Sequence, residues 1–282
     1  MALPPLESAT TKARLVALLA CAALAGAAQA HDSWFAPLPP TDRGEAVFAF
    51  GTGNRYPVQD LPIPMQQLST SGCRSEGLRP TAMRWVADQP SATVLRSGRP
   101  WSPTAALTCW AQLKPIDIEI DDATVEIYLD EVNAQPAVRE RWAALRSRGV
   151  RWQETYTKHA RIEMNATAGA APVGNGAGSA PVEGLGMDLR IESPQPLRAG
   201  DTLRAQLLRD GLPLPGLPVE LRSDLSTVGD WRTTDAEGRL QLPVPLAARW
   251  LLRAVDLRPD AAKPDRWDSR FVTLAFEVLP RP

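Results

Sequence analysis

Histidine is almost missing from this chain. His31 and His159 are the only two among 282 residues. That scarcity excludes a histidine-rich metal cluster and leaves a Ser-His-Asp triad only two possible bases. No G-x-S-x-G elbow and no H-E-x-x-H pair occurs, so hydrolase and metalloprotease readings find no motif. "GNGAGSAP" (174–181) has the glycine of a phosphate loop without its Lys-Ser/Thr or strand-to-helix setting. Charge of one sign is lacking too. Lys and Arg number 31 against 32 Asp and Glu, for a net −1, which gives no pull toward nucleic acid or anionic membranes. Beyond residue 30, no apolar run approaches the ~20 residues of a membrane helix.

Cysteine is equally sparse, with Cys21, Cys73 and Cys109. The first lies in a leader-like segment. Lys12 and Arg14 precede an uncharged Leu/Ala/Val stretch, and Ala28-Gln29-Ala30 offers small residues at a signal-peptidase site. Residues 1–30 are therefore expected to be a signal peptide, cut after Ala30, and the mature protein periplasmic. The rival is a lipoprotein box at Leu18-Leu19-Ala20-Cys21. Cys73 and Cys109 are then the remaining pair in an oxidising compartment, and a disulfide is expected between them. A thiolate metal site is the alternative, without the usual CxxC spacing.

Proline is abundant, at 27 residues, between short alternating runs. This pattern points to a mainly β protein with many turns. "EAVFAFGTG" (45–53) alternates and stops at glycines. "TAMRWVAD" and "SATVLRSG" are candidates for neighbouring strands. "ATVEIYLDEV" (123–132) reads as a strand, with Val125, Ile127 and Leu129 on one face. "PAVRERWAALRSRG" (136–149) carries helical spacing and a glycine stop. The next segment fits a helix with Trp152, Tyr156, His159 and Glu163 on one face. It also fits a strand with Tyr156, Lys158, Ala160, Ile162 and Met164 on one face and His159, Arg161 and Glu163 on the other. The reading adopted is a helical insert near 136–157, becoming strand near Lys158. Trp34 and Phe35 are expected to pin the first strand into the core.

A Gly/Ala/Pro-rich stretch, 167–186, reads as a linker. It divides an N-terminal β domain (31–166) from a C-terminal immunoglobulin- or transthyretin-like sandwich (187–280). In the latter, Leu203, Ala205 and Leu207, and then Val272, Leu274, Phe276 and Val278, form inward faces.

Several segments carry a resemblance across nearly the whole mature chain. They are "AHDSWFAP" (30–37), "ETYTKHAR" (154–161), "PLRAGDTLRAQLLRDGLPLPGLPVEL" (196–221), "TTDAEGRLQLPV" (233–244) and "WDSRFVTLAFEV" (267–278). Together they resemble DUF4198, a family of exported bacterial proteins, some described as periplasmic components of nickel or cobalt uptake. The resemblance implies a two-domain β protein that handles metal, with an inner-membrane metal permease as partner. Arg161 stands where lysine is usual in that family.

The residues allow such chemistry. Cleavage after Ala30 would make His31 the first residue, so its amine and imidazole form a chelate for Ni, Co or Cu. His159 is the candidate for a third nitrogen, with Asp32 or Glu154 as further ligands. The expectation is thus a non-enzymatic metal-binding or metal-delivery protein. The alternative is an envelope binding or structural module that uses the second sandwich as its contact surface. An oxidative copper enzyme with an N-terminal histidine brace stands third.

Overall fold

The computed structural model describes residues 31–75, 78–165 and 180–281. The expected signal peptide lies outside the described residues. The strands of the first half are β1 (Asp32–Leu38), β2 (Glu45–Gly53), β3 (Leu61–Pro62), β4 (Leu68–Ser75), β5 (Arg84–Asp88), β6 (Thr93–Pro100), β7 (Leu107–Leu113) and β8 (Ile116–Ile120). Helices α1 (Asp122–Glu131) and α2 (Pro136–Ser147) follow, then the long strand β9 (Trp152–Met164). The second half holds β10 (Met187–Ile191), β11 (Asp201–Arg209), β12 (Leu212–Pro213), β13 (Pro218–Ser223), β14 (Asp230–Thr233), β15 (Arg239–Val244), β16 (Ala248–Pro259) and β17 (Trp267–Val278).

The two halves share one central sheet of eight strands, ordered β14-β13-β16-β17-β9-β7-β4, with β8 also on β9. The joint is a parallel pairing of β9 with β17, running from Glu154 opposite Trp267 to Glu163 opposite Phe276. All other named pairings are antiparallel, so this joint is the sheet's non-local step.

Each face of the central sheet carries a core, because side chains alternate along a strand. On one face, Ala160, Ile162, Leu251 and Ala275 pack with Trp34, Phe35, Phe48, Phe50 and Leu95 of the β1-β2-β6-β5 sheet. On the other, Leu252, Leu274 and Phe276 pack with Leu189, Leu203, Leu207 and Leu242 of β10, β11 and β15. Strand β2 is buried along almost its whole length, which accounts for its run of aromatic and small apolar residues. Trp34 and Phe35 are fully buried, as their size predicts, and Phe35 stacks on Phe50 with centroids 4.4 Å apart. Cys73 and Cys109, opposite one another on β4 and β7, form the expected disulfide.

Two expectations need correction, and a third lies largely outside the described residues. Residues 123–131 are helix, not strand, and Val132 is the C-cap. The Asp121 carboxylate caps the Thr124 amide at 2.9 Å, and Val125, Tyr128 and Leu129 bury one helical stripe while Ile127 stays exposed. Second, the helical insert begins earlier than the expected 136–157 span, at Asp122, and ends at Ser147, beyond which Gly149 takes φ 75°. From Trp152 the chain is strand throughout. Third, the linker expected over 167–186 is described only from 180. There Val182 and Leu185 are buried against Trp110, and the Val182 amide donates to Asp188 at 3.0 Å.

Buried ion pairs fix the layers. Arg161, fully buried on β9, donates to both Asp188 oxygens at 3.0 and 2.9 Å and pairs with Glu163 at 2.8 Å. Arg253 on β16 pairs with Asp32 at the start of β1 and with Glu220 on β13. Its guanidinium also donates to the Glu131 carbonyl at the end of α1. One side chain thereby ties the first strand, the helix and the second half together.

Candidate functional site

A cavity of about 470 Å³ opens where β3, β8, β9, α1 and β17 meet, with His31, the residue before β1, on its lining. Its walls follow from local sequence. Strand β8 reads Ile-Asp-Ile-Glu-Ile, so period two puts Ile116, Ile118 and Ile120 on the lining and turns Asp117 and Glu119 outward. The outward pair is engaged in turn: Asp117 with Arg266 and Thr155, Glu119 with Arg151 and Gln153. The opposing wall is the proline-broken stretch Leu61–Pro64, which meets β2 only at Gly51 and Thr52. Prolines cannot donate to a longer ladder, which leaves this segment as a wall rather than a sheet strand. Tyr156 of β9 and Phe271 of β17 supply aromatic surface.

The floor holds a satisfied carboxylate. Glu154 accepts from Tyr128 Oη at 3.0 Å, from Trp152 Nε1 at 2.8 Å and from Ser269 Oγ. Burial raises its pKa against the opposing pull of these donors. Burial likewise pushes the Tyr128 phenol well above its ordinary value. The aromatic platform beneath includes Trp152 stacked on Trp267 at 4.7 Å. With three donors on two oxygens, Glu154 serves as a structural acceptor.

Lys158 is different. Its ammonium donates to the His31 carbonyl at 2.6 Å and lies 5.3 Å from the Tyr156 ring centroid and 5.8 Å from that of Phe271. No carboxylate among the described residues forms a salt bridge with it; Asp32, the nearest in sequence to His31, is taken by Arg253. Burial lowers the Lys158 pKa to about 8, against the pull of Asp32 and Glu154. The cavity thus has apolar walls and one half-buried amine at its lip.

The two histidines are not brought together. His31 lines the cavity, and its carbonyl is held by Lys158. His159 is the next residue along β9 and therefore points to the opposite face of the central sheet. There it is buried, with Nδ1 bonded to the Phe271 carbonyl at 2.9 Å. Its Nε2 has no hydrogen-bond partner among the described residues and lies under Gly186, where an added Cβ would come within 3.0 Å of it. Burial, with Arg270 close by, lowers its pKa to about 4, so the ring is neutral. The T-shaped three-nitrogen site does not fit this fold, because a sheet separates its two imidazoles. Glu154 and Asp32, the other candidate ligands, are committed to the partners above. Among the described residues, no group of three or more His, Cys, Asp or Glu is placed to hold a metal.

Lys158 and the cavity were not legible as a site beforehand. A signal existed: Lys158 is the lone cation on the apolar face Tyr156, Ala160, Ile162.

Fold and site together define a mainly β protein of two sandwich cores with a preformed apolar cavity beside its first strand. The chain belongs to the DUF4198 family, whose model, described as "Domain of unknown function (DUF4198)", matches residues 28–256. None of the curated proteins matches it. Among solved structures, native alpha-2-macroglobulin from Escherichia coli, spanning domains MG0-NIE-MG1, aligns with 83% of this chain and 94% of its own. That alignment has 11% identity and a TM-score of 0.19, too loose to carry an argument.

Proposed function

We propose that this chain is an exported binding protein that takes a small, largely apolar molecule into the cavity between β3, β8 and β9. The observation that carries the reading is the cavity itself: about 470 Å³, walled by isoleucine, leucine and aromatic side chains around a few polar groups. Sites of roughly 300–1,000 Å³ with such linings are the usual form of small-molecule pockets. The Cys73–Cys109 disulfide supports export to an oxidising compartment. The contact surface thus moves from the second sandwich, where the binding-module reading first placed it, to the first.

The neutral dye N-phenyl-1-naphthylamine, which brightens in apolar surroundings, tests this. It binds once per chain to the wild type. Ile118→Trp, which fills the cavity, abolishes the signal, whereas Glu119→Trp on the outward face of the same strand retains it. Equal dye binding by all three proteins contradicts the reading.

Metal binding is the second reading, favoured by the position of His31 at the cavity lip. Cleavage after Ala30 would free its amine there for a two-nitrogen chelate of Ni(II), Co(II) or Cu(II). The adjacent Lys158 ammonium opposes a dication. Calorimetry on the chain beginning at His31 decides: micromolar or tighter binding, lost when one residue is added before His31, supports it. Failure of all three metals refutes it.

A further inference from the structure

We infer that the ligand of this cavity is an amphipathic carboxylate, its head on Lys158 and its apolar body along Ile116, Ile118, Ile120 and Phe271. The inference rests on the cavity reading above and adds the charge and orientation of the ligand.

Three observations carry it. The Lys158 ammonium is half-buried and has one hydrogen bond among the described residues, to the neutral His31 carbonyl at 2.6 Å. A desolvated charge without a counter-ion is costly, and such groups are normally paired. The protein had a counter-ion within reach and placed it elsewhere: Asp32, one residue from His31, is bound by Arg253. The remaining cavity carboxylate, Glu154, is filled by Tyr128, Trp152 and Ser269. The ammonium therefore forms no salt bridge among the described residues and is flanked by two aromatic rings at 5.3 and 5.8 Å.

The chemistry of the walls narrows the class. A single ammonium balances a monoanion. A phosphate or dicarboxylate would ask for more donors than one lysine offers. The three isoleucines of β8 lie in register on one side and suit a hydrocarbon or aromatic body.

Decanoate and methyl decanoate, identical in body and different in charge, are the probes. Each is titrated by displacement of N-phenyl-1-naphthylamine at pH 7 from the wild type, Lys158→Met and Lys158→Arg. Decanoate displaces the dye from the wild type at least about tenfold more tightly than the ester does, as expected of a charge-assisted hydrogen bond in a half-buried site. Lys158→Met removes the preference, so that acid and ester displace the dye alike, and dye binding by the variant itself reports that the cavity is intact. Lys158→Arg restores part of it. If the dye binds but acid and ester compete equally in the wild type, the carboxylate inference is overturned while the cavity reading survives. Failure of the dye itself to bind overturns both.

Discussion

Lys158 Nζ donates to the carbonyl oxygen of His31 at 2.6 Å, joining the middle of β9 to the residue that precedes β1. The contact places the lysine at the cavity lip, where it forms no salt bridge among the described residues. Its pKa in the fold, about 8, lies below the ordinary ~10.4. The folded protein therefore binds fewer protons than the unfolded chain between those values. Stability rises with pH from about 8 to about 10.4, by up to about 3 kcal/mol from this group alone. Urea unfolding at the two pH values, compared between the wild type and Lys158→Met, isolates the effect. The variant loses the rise and is at least as stable as the wild type at pH 7. A loss of more than about 2 kcal/mol there would mean that the His31 contact outweighs the burial cost.

His159 acts at the other end of the pH scale. Its ring is buried and neutral, with its pKa lowered to about 4. Unfolded imidazoles titrate near ~6.5. Between these values the unfolded chain binds the extra proton, so stability falls as pH drops from about 6.5 to about 4, by about 3 kcal/mol when complete. Arg270 and Arg209 oppose protonation, and Asp210 favours it. His159→Gln flattens that part of the stability curve, read from urea midpoints at pH 7, 5.5 and 4. An unchanged slope contradicts the assignment.

Arg253 tests how the site is held. It is buried, and it pairs with Asp32 on β1 and Glu220 on β13. Arg253→Leu leaves the buried Asp32 carboxylate without its cation, while Glu220 keeps its pairing with Arg222, and loss of such a partner costs on the order of 3–5 kcal/mol. Because Asp32 adjoins His31, amide exchange in β1 should quicken more than in β11. Uniform acceleration across both strands would show that β1 has no special dependence on this arginine.

The disulfide contributes through the unfolded chain. Cys73 and Cys109 are 36 residues apart, and closing a loop of that length is worth on the order of 2–4 kcal/mol. Cys73→Ser with Cys109→Ser lowers the urea midpoint without changing dye binding, since neither cysteine lines the cavity. Loss of dye binding in a folded double variant would show that the β4–β7 pairing shapes the pocket.

Much of the architecture was legible in the sequence. The alternation in 45–53, in Leu203-Ala205-Leu207 and from Val272 to Val278 is strand periodicity, and each face is buried as expected. Residues 123–132 misled because Val125 and Leu129 satisfy both a two-residue and a four-residue spacing. The cap formed by Asp121 with Thr124 and the buried Tyr128 decide for helix. The cavity was illegible for a different reason. Its walls come from β3, β8, β9, α1 and β17, and the parallel pairing of β9 with β17 joins segments with no local signal of their meeting. The histidines drew attention as rare ligand-type residues. Strand alternation puts Lys158 on the cavity face and His159 behind it.

The most direct test of the carboxylate-binding cavity is a crystal structure of the chain soaked with 10-bromodecanoate, with the bromine located by anomalous scattering. The account predicts a bromine peak beside Ile116, Ile118 and Ile120, with the carboxylate within hydrogen-bond distance of Lys158 Nζ. A bromine peak outside the cavity, or a carboxylate turned away from Lys158, would contradict it.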